Sequence, residues 1–282
     1  MLAELAGELT GQAVDPELFA RYAVLAVVQG LTEFLPVSSS GHLVLTQSMM
    51  EVESAPLAVD IALHLGTLAA VLLVYRKSIT DLLRGMFRGQ FAEVLLLALA
   101  TAPVAVIGLL FKDQIETAFS DPKLTACALI GTALILAIGE VGRRKRIRGQ
   151  AAQESEVEPE VRLNLRQAIL IGTAQCLALL PGISRSGTTI AAGILVGLPP
   201  AYAARVSFLL SIPAIAGAAV LKMPELLNAA DGGGSTIAGA MVIAAIVGWV
   251  ALRFLLRFIS RGAFVWFAIY CGALGSGYLL FV

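Results

Sequence analysis

The sequence is poor in charge, cysteine and histidine, and each shortage excludes something. Only 14% of its 282 residues are charged, against about a quarter in ordinary soluble domains, which leaves too little polar surface for a soluble monomer. The 20 basic and 20 acidic residues cancel, so no excess positive field marks the chain as a nucleic-acid binder. Cys127, Cys176 and Cys271 all lie in apolar segments and read as small buried hydrophobes, not as a disulfide framework or a thiolate metal site. The only two histidines are His42 and His64, so chemistry that needs a later histidine has no candidate. The first 20 residues hold Glu4, Glu8, Asp15 and Glu17 but no basic residue, the wrong charge order for a cleavable signal peptide.

What the chain has in abundance is apolar length: 58% of it is hydrophobic and its mean hydropathy is +0.85. Six simple spans are expected near 57–75, 91–111, 124–141, 202–221, 236–252 and 262–282, each close to the ~20 residues that cross a ~30 Å hydrocarbon core. Two further stretches, 20–48 and 165–197, are apolar but broken by FLPVSSSGH and LLPGISRSGTT. Irregular backbone at membrane depth is tolerated only where protein or a water-filled cavity satisfies its polar groups.

The broken stretches repeat. Gln29 and Gln175, Leu31 and Leu177, Ser38 and Ser184, Ser40 and Ser186, and Gly41 and Gly187 are all related by one offset of 146 residues. The same offset lays 57–75 onto 203–221 and 91–111 onto 237–257. Basic residues concentrate in 76–90, 142–166 and 253–261, whereas 49–56, 112–123 and 222–235 hold only Lys112, Lys123 and Lys222; the first set is expected in the cytoplasm and the second outside. With these sides fixed, the two halves run in opposite directions. The expected fold is an all-α polytopic membrane protein of two inverted-topology repeats, each a re-entrant helical hairpin plus three transmembrane helices. It forms a single integral-membrane domain, with repeat one over about 20–141, a solvated cytoplasmic linker over about 142–164, and repeat two over about 165–282. Broken helices meeting near the midplane are a way to build a central site.

Ionisable side chains at that depth cost about 2.5–3.5 kcal/mol each on insertion scales, so Glu33, His42, His64 and Arg185 each ask for a reason. Arg185 lies between Ser184 and Ser186 with no acidic neighbour in sequence, and so needs a distant carboxylate or an anionic ligand. A guanidinium fork with glycine-rich turns at helix N-termini suits phosphate oxygens. Glu33 repels such an anion unless it is protonated or a magnesium or calcium ion lies between them. His42 can move a proton or attack phosphorus. Together these parts suffice for metal-assisted phosphoryl transfer to water. His64, in the middle of IALHLGT, reads as a packing histidine, Asp60 as solvated near a helix end, and Arg21 and Arg205 as snorkelling residues.

VVQGLTEFLPVSSSGHLVL and QCLALLPGISRSGTTIAAGILVGL, with RVSFLLSIPAIAGA, resemble the signature segments of bacterial undecaprenyl-diphosphate phosphatases, integral-membrane enzymes associated with bacitracin resistance. The resemblance implies hydrolysis of undecaprenyl diphosphate to the monophosphate lipid carrier, with a divalent cation, in the bacterial inner membrane and at a site opening outward. It casts Glu33 as the metal- or proton-handling carboxylate and Ser39 and His42 as nucleophile and partner, without deciding which of the two attacks. Arg185 with Ser184 and Ser186 resembles a diphosphate clamp, and Thr189 completes that motif. Gln29, Ser38, Ser40 and Gly187 are expected around the same anion. Gln29 departs from family members with a second Glu, and it cannot bind metal as an anion. The expected partner is a polyprenyl diphosphate lipid, with a homodimer open and no nucleic acid. The alternative from another class is a polyprenyl-phosphate flippase or inverted-repeat transporter using the same anion site. The other class of membrane lipid phosphatase needs a catalytic histidine after its Ser-Arg segment, and none follows Arg185.

Overall fold

The computed structural model describes residues 15–50, 57–151, 162–259 and 264–281, and among them every regular element is helical. The acidic N-terminal segment up to residue 14, most of the expected outer loop 49–56, the acidic part of the linker and Arg261 lie outside these residues. Twelve α-helices follow in order: α1 (Pro16–Thr32), α2 (Ser39–Met49), α3 (Leu57–Val74), α4 (Arg76–Phe87), α5 (Ala92–Leu110), α6 (Lys112–Phe119), α7 (Pro122–Ala151), α8 (Leu165–Gln175), α9 (Arg185–Leu195), α10 (Pro200–Leu221), α11 (Met223–Phe258) and α12 (Phe264–Phe281). A short 3₁₀ turn, Cys176–Leu179, follows α8.

Five helices (α5, α7, α10, α11 and α12) are long and apolar enough to cross a membrane; α3 with α4, bent by 74° at Tyr75, makes a sixth if the pair is one span. The chain is a polytopic helical membrane protein. In contrast, α2, α8 and α9 have 11 residues each and reach about 16 Å at 1.5 Å per residue, half the hydrocarbon core. Two helix–turn–helix units pack against the longer helices: α1 on α11, α8 on α5, and both α2 and α9 on α7. Close approach depends on small residues: a Cβ on Gly30 would stand 2.8 Å from the Val247 Cβ of α11, and one on Gly172 2.5 Å from the Ala100 carbonyl of α5.

Several boundaries differ from the sequence reading. The basic segment after residue 141 is helical to Ala151, because Arg and Lys are good helix formers and Glu140 accepts from Arg143 and Arg144 at 2.7–2.8 Å, one turn on. The loops 76–90 and 112–123 contain helices α4 and α6, and α11 starts at Met223 and so takes up nearly all of the expected loop 222–235. In α4 the apolar Ile79, Leu82, Leu83 and Met86 recur at helical spacing, a signal that the charge count masked. Of the cysteines only Cys271 is buried; Cys176 is half-buried and Cys127 exposed. Arg205 is an ion-pair partner of Glu93 (3.1 Å) rather than a free snorkelling end.

Candidate functional site

Each of the two short units turns sharply and restarts as a helix whose first residues carry the polar motif. In the first, α1 ends at Thr32, Glu33 caps it, and the chain turns through Phe34–Val37. Phe34 anchors that turn, fully buried and edge-on to Phe208 of α10 with ring centroids 5.8 Å apart. Ser38 then adopts φ 69°, the only positive φ among described non-glycine residues. Such a conformation costs of order 1–3 kcal/mol and persists only where its surroundings enforce it. Here the Ser38 hydroxyl accepts from Gly41 N (3.2 Å) and pairs with Ser40 Oγ (3.2 Å). The second unit repeats the device: Ser184 caps α9 by accepting from Gly187 N (3.0 Å) and pairs with Ser186 Oγ (3.2 Å).

The turns touch. A Cβ on Gly41 would lie 3.0 Å from the Gly182 Cα, and Ser186 Oγ donates to the Leu35 carbonyl at 3.1 Å. Thr132 of α7 holds the second turn from behind, its hydroxyl donating to the Gly182 carbonyl (2.7 Å) and accepting from Ser184 N (2.9 Å).

Glu33 joins the two units. Arg185 Nη2 donates to its Oε1 at 2.6 Å, Ser39 Oγ donates to Oε2 at 2.5 Å, and Gln29 Nε2 donates to Oε2 at 3.1 Å. The distant carboxylate that Arg185 needs is thus Glu33, whose side chain is 5% exposed against 16% for Arg185. The second guanidinium nitrogen, Nη1, is buried without a hydrogen-bond partner. It is an unpartnered donor on a residue that lines a cavity.

That cavity measures about 510 Å³. Its polar end is formed by Glu33, Ser38, Ser39, Ser40, Ser184 and Arg185, with Asp60 and His64 of α3 beside them. Its other wall carries Ile115 and Phe119 of α6 and the small side of α10 from Ala214 to Ala219, where Lys222 pairs with Glu116 at 3.4 Å. The first residues of both α2 and α9 face this space, so two sets of free backbone N–H groups and two helix dipoles favour an anion there.

The remaining residues that the sequence singled out do not line it. His42 is buried, with Nδ1 donating to the Ser38 carbonyl at 2.7 Å and Nε2 bonded to Tyr270 Oη at 2.8 Å, its ring stacked on that tyrosine. Thr189 Oγ1 donates to the Arg185 carbonyl (2.8 Å) and shares a hydrogen bond with Ser207 Oγ (2.7 Å), tying α9 to α10. Gln29, Ser186 and Gly187 lie behind the cavity wall as partners of Glu33, Leu35 and Ser184. Two residues gain importance instead. Asp60, read as solvated, and His64, read as packing, both line the cavity; their i, i+4 spacing puts them on one face of α3, which is the signal that could have found them.

Residues 22–277 match the family described as bacitracin resistance protein BacA. Named relatives include the undecaprenyl-diphosphatase of Elusimicrobium minutum, 42% identical over 256 residues that cover 89% of this chain and 93% of the relative. That of Moorella thermoacetica is 42% identical over 257 residues (88% and 91%), and that of Corynebacterium glutamicum 36% identical over 280 residues (93% and 92%). With the match running from the first short unit to the last helix, the chain belongs to the BacA bacitracin resistance family.

Proposed function

We propose that the chain is an undecaprenyl-diphosphatase, hydrolysing undecaprenyl diphosphate to undecaprenyl phosphate and inorganic phosphate. The observation that carries this reading is the triad of Ser39, Glu33 and Arg185, drawn from two chain-distant turns to the polar end of a cavity with an apolar wall. Arg185 Nη1 and the N-terminal amides of α2 and α9 bind the diphosphate, while the apolar wall takes the first isoprene units. Arg185 also cancels the charge of Glu33, which otherwise repels the anion. Ser39 is the nucleophile, its hydroxyl already donating to Glu33 Oε2, so the carboxylate is placed to take the proton as the oxygen attacks. Developing charge on the phosphoryl oxygens meets donors that are in position beforehand. His42 acts behind this site, holding the Ser38 carbonyl and hence the strained turn that aims Ser39.

The residues present fit a divalent cation shared with the substrate rather than a protein-only cage. Asp60 Oδ1 is buried without a hydrogen-bond partner and shares the cavity with Glu33, whereas no group of three or more His, Cys, Asp or Glu suited to a metal occurs among the described residues. Magnesium is commonly held by one or two carboxylates plus substrate phosphates. Glu33 and Asp60 would hold the ion, which when bound offsets charge on the diphosphate and its leaving oxygen.

The fold is read as two inverted repeats, each with a re-entrant hairpin, in one integral-membrane domain of the bacterial plasma membrane. Three features support this. The N-terminal half of α3 and the C-terminal half of its offset equivalent, α10, line one cavity, as opposite directions for the two would require. α1 packs on α11 as α8 packs on α5, each hairpin against the equivalent helix of the other half. The cavity lies at the end of α3 away from Arg76, Lys77, Arg84 and Arg88, and so opens outward if basic segments are cytoplasmic.

The test is release of inorganic phosphate from a long-chain polyprenyl diphosphate by the detergent-purified protein with magnesium or calcium, set against Arg185→Ala. Release by the wild type, its loss in a variant that remains monodisperse, and its arrest by chelator with recovery on adding metal are expected. No release from folded wild type in the presence of metal overturns the reading.

A further inference from the structure

His64 has been given no role in binding or attack, although it is the imidazole that lines the cavity. Its Nδ1 lies 2.7 Å from the Asp60 carbonyl, one turn back on α3. A carbonyl only accepts, so Nδ1 carries a hydrogen, and in the neutral form of the ring Nε2 is then a bare acceptor. That nitrogen is 3.9 Å from Glu33 Oε2, beyond hydrogen-bond range, and makes no hydrogen bond among the described residues. The same Oε2 accepts from Ser39 at 2.5 Å. His64 Nε2 and Ser39 Oγ thus neighbour the same carboxylate oxygen, and the imidazole is 32% exposed. The other histidine has both nitrogens engaged outside the cavity.

We infer that His64 is the water-orienting residue of the second half-reaction: its Nε2 accepts a hydrogen bond from the water that releases phosphate from Ser39. The inference rests on the covalent reading above. In the first half-reaction the bond from Ser39 Oγ to the terminal phosphorus forms and that from phosphorus to the bridging oxygen breaks. The lipid monophosphate leaves with the electron pair, and the serine proton goes to Glu33. In the second, the water oxygen bonds to phosphorus, the phosphorus–Oγ bond breaks, and Glu33 returns its proton to Ser39. One water proton stays on inorganic phosphate and the other leaves to bulk water. Attack needs the water lone pair aimed at phosphorus, opposite Oγ, and a fixed acceptor for one of its hydrogens sets that aim. The 3.9 Å between His64 Nε2 and the carboxyl oxygen beside Ser39 leaves room for a water that donates to the imidazole.

The test uses the full chain in detergent, with polyprenyl diphosphate labelled in its terminal phosphate. His64→Ala is expected to release a near-stoichiometric burst of lipid monophosphate, then turn over about 30-fold or more slowly, with the label trapped on protein after acid quench. His64→Gln, whose Oε1 offers an acceptor without titrating, is expected to recover at least a third of wild-type turnover. If His64→Ala turns over like the wild type, or loses burst and turnover together while still binding lipid and melting normally, His64 does not orient the water. Wild type that hydrolyses lipid without ever accumulating label, even in His64→Ala, removes this inference but leaves the phosphatase reading intact. Wild type that releases no phosphate removes that reading itself.

Discussion

The two motif turns are built alike and do different work. Under the 146-residue offset Ser38 matches Ser184, Ser40 matches Ser186 and Gly41 matches Gly187, and the equivalent hydrogen bonds form in both: cap serine to glycine N–H, and cap serine to the serine two residues on. Between the paired serines the repeat breaks. Position 39 is a serine and its equivalent, 185, an arginine; position 33 is a glutamate and its equivalent, 179, a leucine. Both side chains at the divergent position reach the same carboxylate, Ser39 at one oxygen and Arg185 at the other. On the proposed reading the two turns supply two anion-accepting helix N-termini and their divergence divides the chemistry, one turn bringing nucleophile and proton acceptor and the other fixed positive charge. Two arginines would bind phosphate without attacking it, and two serines would face a trianionic headgroup with no counter-charge.

The comparison is broken most severely at its divergent position. Ser39→Ala removes the attacking oxygen and is expected to lower kcat by about 10³-fold or more, with phosphate release as the readout and lipid binding retained because Arg185 and both N-termini persist. Ser40→Ala, one position on, is the internal control and is expected to stay within about tenfold. Equal losses in the two would make the turn a binding loop and take the nucleophile away from Ser39. Arg185→Lys is expected next in size, at about 10²-fold in kcat/KM, or about 2.7 kcal/mol. An ammonium can pair with Glu33 but leaves no second planar nitrogen, the one Nη1 now supplies, for the diphosphate. Near-normal kcat/KM for the lysine variant would show that charge alone suffices and that the free Nη1 is unused.

How much of this was legible beforehand follows the same division. The repeat, the two broken stretches and the pairing need of Arg185 could be read from residue identity and spacing, because backbone breaks and intramembrane charges leave local marks. Which imidazole faces the cavity could not. His42 sits within the motif, yet its ring is held by Tyr270, 228 residues away, a contact without local trace. His64 sits in a plain apolar run, and becomes a site residue only because α3 lies against the first turn. The basic segments were right in sign and wrong in form: charge density placed them outside the span, but α4 and the end of α7 are helical because propensity and one-turn ion pairs act over the same residues.

The smallest expected effect sharpens the comparison at its other polar match, Gln29 and Gln175. Both are buried, but Gln29 donates to Glu33 while both amide atoms of Gln175 lack a hydrogen-bond partner. The resemblance to members with glutamate at position 29 makes Gln29→Glu the informative change. It exchanges an N–H donor for a second carboxylate against Oε2 of Glu33, where the present contact is 3.1 Å. Two carboxylates at that spacing repel unless a proton or a cation lies between them, so a shared ion gains a ligand of the right charge and hardness. The expected outcome is a kcat within about fivefold of wild type and a concentration of magnesium or calcium for half-maximal activity lowered about threefold, or about 0.65 kcal/mol. Gln175→Glu, on the other unit and without a hydrogen bond to Glu33, should leave that concentration unchanged. An unaltered metal requirement in Gln29→Glu would mean that the ion is held from the Asp60 side of the cavity, and that the first turn contributes its carboxylate to Ser39 and Arg185 alone.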